Sequence, residues 1–196
     1  TMKLGYGINK KNSKKKVYGY TPPLGLGMLA RVTKEYGCEV TVNDAGALSD
    51  DYDSLIGKIA EFHPDIIGFS VFTANFSQAV ESINRIRKHP KLRDVLIIIG
   101  GPHVYTFREK TLEEVDADIA VYGEAEADII ELLEYYDGLR SSLEDVNGIF
   151  YRSGQRVIQT DETHSSKSLD HFGFPDWNQF DFSLYRNIPG QVRRYP

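Results

Sequence analysis

Residues 65–76 read DIIGFSVFTANF, and this stretch decides the fold because a short apolar run ends there in small and hydroxyl residues. The run Ile66–Ser70 is continuously apolar rather than alternating, as is typical of a parallel strand covered on both faces. The segment that follows, Phe76–Lys88, repeats apolar side chains at helical spacing, namely Ala79, Val80, Ile83 and Ile86. Together they predict one strand-then-helix unit.

The same alternation runs through most of the chain. Further strands are predicted at Lys3–Ile8, Glu39–Val42, Val95–Ile99 and Ile119–Val121. Further helices are predicted at Leu24–Tyr36, at Leu55–Phe62 with a cap among residues 49–51, around Leu112 and Val115, and at Ala125–Tyr136. Five such units in series predict an α/β fold with a doubly wound, flavodoxin-like (Rossmann-like) five-stranded parallel sheet of order 2-1-3-4-5.

The sequence pattern changes from about Asn147, and we expect an α/β domain at 1–140 and a different segment at 141–196. The second segment begins with a predicted β-hairpin whose turn is Ser153-Gly154. Aromatic residues without periodicity follow, namely Phe172, Phe174, Trp177, Phe180, Phe182 and Tyr185. We expect an extended strap on the surface or a linker toward a C-terminal domain absent from this chain.

Composition excludes several classes of protein. The formal net charge of −5 argues against a general nucleic-acid binder, which would carry a basic excess. No apolar run reaches the roughly 18–20 residues that a membrane span needs. The single Cys38 excludes an internal disulfide framework. We therefore expect a cytoplasmic protein without nucleic-acid partners or a membrane span.

Candidate binding residues follow the predicted strands, because ligands of doubly wound sheets bind outside the carboxyl ends of the strands. The candidates are Pro23, Gly25 and Gly27 after the first strand, Asp44 after the second, Ser70 and Thr73 after the third, Gly100, Gly101 and His103 after the fourth, and Gly123 and Glu124 after the fifth. A G-x-G-x-x-G turn after a strand, a phosphate loop and a G-x-S-x-G nucleophile turn are all missing from the sequence. We therefore name no catalytic residue.

Five segments carry a resemblance to a known family. They are TPPLGLGMLA (21–30), DIIGFSVFTANFSQA (65–79), IIIGGPHV (97–104), VYGEAEADIIELL (121–133) and SLDHFGFPDWNQF (168–180). The chain resembles the N-terminal cobalamin-binding domain of radical S-adenosylmethionine (SAM) enzymes, of the magnesium-protoporphyrin monomethyl ester oxidative cyclase or cobalamin-dependent methyltransferase type.

The resemblance implies a cobalamin whose corrin lies over the carboxyl edge of the sheet and whose nucleotide tail occupies a groove beside the first strands. Pro23 would fix the start of the first helix, and Gly25 and Gly27 would clear space for the cofactor. The other candidates would contact it through hydroxyl, backbone or polar groups. Glu124 and Glu126 are equally explained as ligand contacts or as carboxylates favoured at a helix N-terminus.

Two motifs are missing from the sequence. Without D-x-H-x-x-G, no protein histidine is expected to ligate the cobalt, and without C-x-x-x-C-x-x-C this chain cannot hold the 4Fe-4S cluster of such enzymes. The leading hypothesis is thus a cobalamin-binding module whose partner is a downstream radical SAM domain of the same polypeptide, with the cluster and SAM bound there. The alternatives are a degenerate domain without cofactor that acts as a scaffold or dimerisation module, and a flavodoxin-like regulator or flavin binder.

Overall fold

A computed structural model describes residues 2–6, 21–162 and 169–185. Its strands are β1 (Met2–Tyr6), β2 (Val40–Asp44), β3 (Ile66–Ser70), β4 (Leu96–Gly100), β5 (Ile119–Val121), β6 (Ile149–Ser153) and β7 (Arg156–Gln159). Its helices are α1 (Leu24–Tyr36), α2 (Ala45–Leu48), α3 (Tyr52–Phe62), α4 (Phe76–Lys88), α5 (Pro102–Phe107), α6 (Lys110–Glu114) and α7 (Ala125–Tyr136). The predicted end of the first strand, at 7–8, lies outside the described residues.

All seven strands form one sheet of order β2-β1-β3-β4-β5-β6-β7. The first five strands are parallel, as predicted. The predicted hairpin is also present, but it pairs with β5 in antiparallel orientation, with Ile149 opposite Val121. The sheet therefore has two strands more than the expected five. The hairpin pairs with the edge that β5 would otherwise leave unpaired.

Helices cover both faces of the sheet and bury two apolar clusters. On one face α1 and α7 lie side by side and pack on Ile66, Ile98 and Val121. On the other face α3, α4, α5 and α6 pack on strand residues such as Ile67 and Ile97. The continuous apolar runs of the sequence follow from this arrangement, because neighbouring residues of one strand are buried on opposite faces.

Local signals explain where several helices begin and end. The carboxylate of Asp51 accepts a hydrogen bond from the backbone N–H of Ser54, so α3 begins three residues before the predicted Leu55. Gly37 ends α1 in the left-handed conformation, with φ of 110°. The short helices α2 and α5 occupy segments for which no helix is predicted, because six residues or fewer show no readable period.

Residues 169–185, called the strap below, lie along α1 and the outer strand β2. Phe172 and Phe180 are buried in the cluster beneath α1. The backbone N–H of Asp176 donates to the carbonyl of Gly27, and the side-chain carbonyl of Gln179 accepts from the backbone N–H of Val42. The strap thus covers part of the open edge of β2. Within the described ranges, no helix combines the length and the apolar character that a membrane span requires.

A pocket at the carboxyl edge of the sheet

Small residues at the carboxyl ends of the middle strands leave a pocket between the sheet and the helices. Alternate residues of a strand face the same side, so Ile66, Gly68 and Ser70 of β3 form one row. Ile66 is buried under the helices, whereas Gly68 and Ser70 line the pocket. Gly100 lies opposite Ser70 on the neighbouring strand and widens the gap. The pocket floor exists because this row changes from large to small residues.

The two helices of this face form the walls. Gly25, Leu26 and Leu29 line the pocket from α1, and Ala125, Glu126 and Ile129 line it from α7. The pocket has a volume of about 210 Å³. The helix that follows β1 and the helix that follows β3 lie on opposite faces of the sheet, and the pocket opens beside this point. Doubly wound sheets bind their ligands at such a point.

The two glycines of α1 serve different purposes. Successive helix residues are rotated by about 100°, so Gly25 and Gly27 point to nearly opposite sides of α1. A Cβ atom on Gly25 would meet no other atom within 4 Å. A Cβ atom on Gly27 would lie 2.9 Å from Cβ of Pro175 and 3.3 Å from Cε2 of Phe180. Gly25 therefore keeps space open at the pocket, whereas Gly27 makes room for the strap.

Gly101 is constrained by the neighbouring turn. Its φ is +102°, which side-chain-bearing residues rarely adopt, and an added Cβ would lie 3.0 Å from the carbonyl oxygen of Val71. The backbone N–H of His103 donates to the same carbonyl. At Gly100 an added Cβ would meet only ordinary contacts with Val121, at 3.6 Å or more. Close packing of two turns is thus sufficient to explain Gly101.

Thr73 and His103 contact each other beside the pocket and do not line it. Nδ1 of His103 lies 3.1 Å from Oγ1 of Thr73. The imidazole is stacked on the ring of Phe76 and contacts the tilted ring of Phe107, with centroid distances of 4.0 and 4.5 Å. Burial lowers the pKa of His103, which favours the neutral imidazole. This arrangement fixes α5 against the start of α4.

Asp44 also lies outside the pocket lining. Its buried carboxylate caps α2 by accepting from the backbone N–H of Ala47, and it accepts a second hydrogen bond from the hydroxyl of Tyr185 at 3.1 Å. Burial raises the pKa of Asp44, and these hydrogen bonds oppose the shift. The structure therefore places Asp44 where the strap is attached to the sheet.

Two carboxylates lie at the start of α7, where the pocket opens. Glu124 is exposed at the N-cap position, and its side chain makes no capping hydrogen bond. Glu126 is half-buried. Burial raises the pKa of Glu126, the nearby charge of Glu124 raises it further, and a hydrogen bond from its own backbone N–H opposes the shift.

The structure brings six of the predicted residues together in the pocket lining, namely Gly25, Ser70, Gly100, Gly101, Gly123 and Glu124. Pro23, Gly27, Asp44, Thr73 and His103 do not line it; Pro23 precedes α1 and accepts from the backbone N–H of Gly27. The sequence analysis did not identify Gly68 or the wall residues Leu29 and Ile129. The helical spacing of Gly25 with Leu29 and of Ala125 with Ile129 could have indicated the walls.

Most of the described pocket lining lies in a part of the chain that matches a known sequence family. The model of the B12 binding domain family matches residues 14–133, which is more than half of the chain. The chain belongs to the B12-binding domain family. The matched region contains β2 to β5, α1 and most of α7, and with them every described residue of the pocket lining except Met2.

Two curated relatives of this B12-binding domain are named as methyltransferases. Cytidylyl-2-hydroxyethylphosphonate methyltransferase of Streptomyces wedmorensis is 27% identical, over 89% of this chain and 40% of its own length. An uncharacterized methyltransferase of Pyrococcus horikoshii is 28% identical, over 88% of this chain and 37% of its own length. The chain therefore spans about two fifths of the length of these relatives.

Solved structures show the same fold in larger proteins. The radical SAM methyltransferase TsrM from Kitasatospora setae matches with a TM-score of 0.66 and 20% identity, over 82% of this chain and 30% of its own. The cobalamin-dependent radical SAM enzyme OxsB, with aqua-cobalamin and SAM bound, matches with a TM-score of 0.67 and 20% identity, over 82% of this chain and 22% of its own. At these identities the likeness establishes the fold.

Proposed function

We propose that this B12-binding domain holds cobalamin, with one part of the molecule inserted into the pocket between α1 and α7. The observation that carries the proposal is the row of small residues, Gly68, Ser70 and Gly100, which leaves room under the helices at the carboxyl edge. Family membership supplies the identity of the ligand. The nucleotide tail is the part of cobalamin narrow enough to enter, and the corrin would lie above it.

The residues present fit such a ligand. The open space beside Gly25 gives a flat group access to the backbone of α1. Four apolar side chains in segments that follow strands are exposed, namely Leu24, Phe72, Tyr105 and Phe107. Exposed apolar side chains that form a contiguous patch mark a surface covered by a ligand or a partner. A corrin ring is large and flat enough to cover several of them.

We further propose that the domain is a module of a radical SAM methyltransferase. Support comes from the two curated relatives, both named methyltransferases, of which this chain spans 40% and 37%. Cobalamin supplies a cobalt centre that carries a methyl group, and this chain's residues would bind and orient the cofactor. The 4Fe-4S cluster and SAM would be bound by another domain of the same polypeptide, and the cobalt would have no histidine ligand from this domain.

Titration of the purified chain with hydroxocobalamin tests the proposal. Binding is followed by visible absorbance and by calorimetry, and we expect saturation. Flavin mononucleotide is titrated in parallel, because a flavodoxin-like fold also suits that ligand, and we expect no binding. Saturable flavin binding without cobalamin binding would contradict the proposal.

The matched variants are Gly25→Leu and Gly57→Leu. Both add the same side chain at a helical glycine whose added Cβ would meet nothing within 4 Å. Gly57 belongs to α3 on the opposite face of the sheet, so it controls for unspecific effects. We expect Gly25→Leu to abolish cobalamin binding and Gly57→Leu to leave it unchanged. Equal binding by both variants would show that the ligand does not use this pocket.

A further inference from the structure

Glu126 occupies an unfavourable position for a carboxylate whose role is only structural. Among the residues that the structure describes, Glu126 has no ion-pair partner. The charged side chain that acts on it is Glu124, which carries the same negative charge. Hydrogen bonds accepted by an ionised carboxylate lower its pKa, as at Asp176 and Asp181 of the strap, and they oppose the effect of burial at Asp44. The pKa of Glu126 is instead raised, so its ionised form is destabilised in the folded, ligand-free protein.

Capping of α7 does not account for Glu126. It lies two residues inside the helix, and the N-cap position belongs to Glu124. The helix dipole favours a carboxylate at this end by a few tenths of a kcal/mol to about 1 kcal/mol. That benefit does not require a half-buried site in a pocket wall, since an exposed carboxylate in the same turn would obtain it.

The chemistry of the pocket indicates what Glu126 would contact. The described lining is apolar or glycine apart from Ser70, Glu124 and Glu126, and it contains no lysine, arginine or histidine. A carboxylate is an acceptor of hydrogen bonds. A ligand that presents a hydroxyl or an amide N–H toward α7 would therefore be complementary to Glu126.

We propose that Glu126 is a specificity residue of this pocket, whose carboxylate accepts a hydrogen bond from a hydroxyl or amide N–H group of the bound molecule. The inference rests on the proposed cobalamin-binding function. Cobalamin offers both donors, because its nucleotide tail carries a ribose hydroxyl and its corrin carries amide side chains. The carboxylate would then gain on binding a further hydrogen-bond donor besides its own backbone N–H.

The test compares Glu126→Met with Glu113→Gln in the full chain. Methionine keeps the length of the side chain and removes the acceptor, whereas Glu113 is an exposed carboxylate of α6 on the other face. We expect Glu126→Met to weaken hydroxocobalamin binding by roughly tenfold or more, the range of a hydrogen bond to a charged group. Glu113→Gln should leave the affinity unchanged.

A second measurement separates recognition from a structural role. Because the pKa of Glu126 is raised on folding, the ionised carboxylate lowers stability at pH above its folded pKa and not at low pH. We therefore expect Glu126→Met to raise the thermal midpoint of the ligand-free chain at pH 8 more than at pH 4. Higher stability combined with weaker binding is a pattern that a structural residue does not give.

Cobinamide, which lacks the nucleotide tail, identifies the donor. A loss confined to hydroxocobalamin assigns the hydrogen bond to the ribose hydroxyl, and an equal loss with both ligands assigns it to a corrin amide. Unchanged affinity for both overturns the role of Glu126 and leaves the proposed function standing. Failure of the unsubstituted chain to bind hydroxocobalamin overturns the proposed function and this inference with it.

Discussion

Replacing each glycine of α1 by alanine separates the two purposes that the structure gives them. Gly25→Ala places a methyl group where no atom lies within 4 Å. Gly27→Ala places the same group 2.9 Å from Cβ of Pro175 and 3.3 Å from Cε2 of Phe180. Real Cβ atoms essentially never come as close as 2.9 Å, so either the strap or α1 has to move.

The magnitude follows from comparing the two variants. Alanine is favoured over glycine inside a helix by about 1 kcal/mol, and this gain applies to both positions. Overpacking of a close contact costs about 1–3 kcal/mol. The gain largely cancels in the comparison, so we expect the free energy of unfolding of Gly27→Ala to lie about 1–3 kcal/mol below that of Gly25→Ala.

The assay uses urea unfolding followed by far-ultraviolet circular dichroism and by tryptophan fluorescence. Trp177 is the single tryptophan of the chain and lies in the strap, 6.1 Å from Phe180 between ring centroids. Its emission therefore reports on the strap, while circular dichroism reports on the helices. Gly27→Ala should shift the emission of the native protein toward that of an exposed indole, and Gly25→Ala should not.

Equal stability of the two variants, with unchanged native fluorescence in both, would refute the assignment of Gly27 to the strap. A loss of cobalamin binding in Gly27→Ala with unchanged Trp177 emission would also contradict it. That result would restore the expectation from sequence that both glycines face the cofactor.

Three further outcomes are expected. Gly101→Ala should lower stability by about 2 kcal/mol or more in thermal unfolding, because its φ of +102° and its approach to Val71 both disfavour a side chain. Tyr185→Phe should lower the free energy of unfolding in urea by about 1–2 kcal/mol, because it removes the hydroxyl that donates a hydrogen bond to the buried carboxylate of Asp44. Hydrogen bonds, the largest contribution coming from Lys34, lower the pKa of Asp176 on folding, so the stability that its carboxylate contributes is present at neutral pH and is lost progressively as the pH falls below 3.8. The Asp176→Asn variant should therefore be less stable than the unsubstituted chain at pH 7, by a margin that shrinks as the pH falls below 3.8.

Much of the fold could be predicted from the sequence because local and global signals agree. The bounds of α1, α4, α7, β3 and β5 match the predicted ones. Their apolar residues repeat with the period of the element, and the residues at their ends favour termination. The attachment of the hairpin to β5 could not be predicted in this way, since strand pairing depends on contacts between segments about 30 residues apart.

The pocket was only partly predictable for a related reason. A position after a strand indicates the carboxyl edge, and Ser70, Gly100 and Gly123, which were selected by that rule, line the pocket. The rule does not say which side of a helix a residue faces, or which turns contact each other. Gly27 and Asp44 therefore appeared to be ligand contacts, although both contact the strap.

The contacts of the strap connect it physically to the pocket. Gly27, which it covers, lies in the same helical turn as Gly25 and Leu26 of the pocket wall. The strap therefore supports α1 from the side opposite the pocket and limits how far that wall can move outward. Release of the strap would widen the pocket without changing any residue that lines it. A variant that loosens the strap, such as Tyr185→Phe, should accordingly weaken cobalamin binding through faster dissociation, with the association rate little changed.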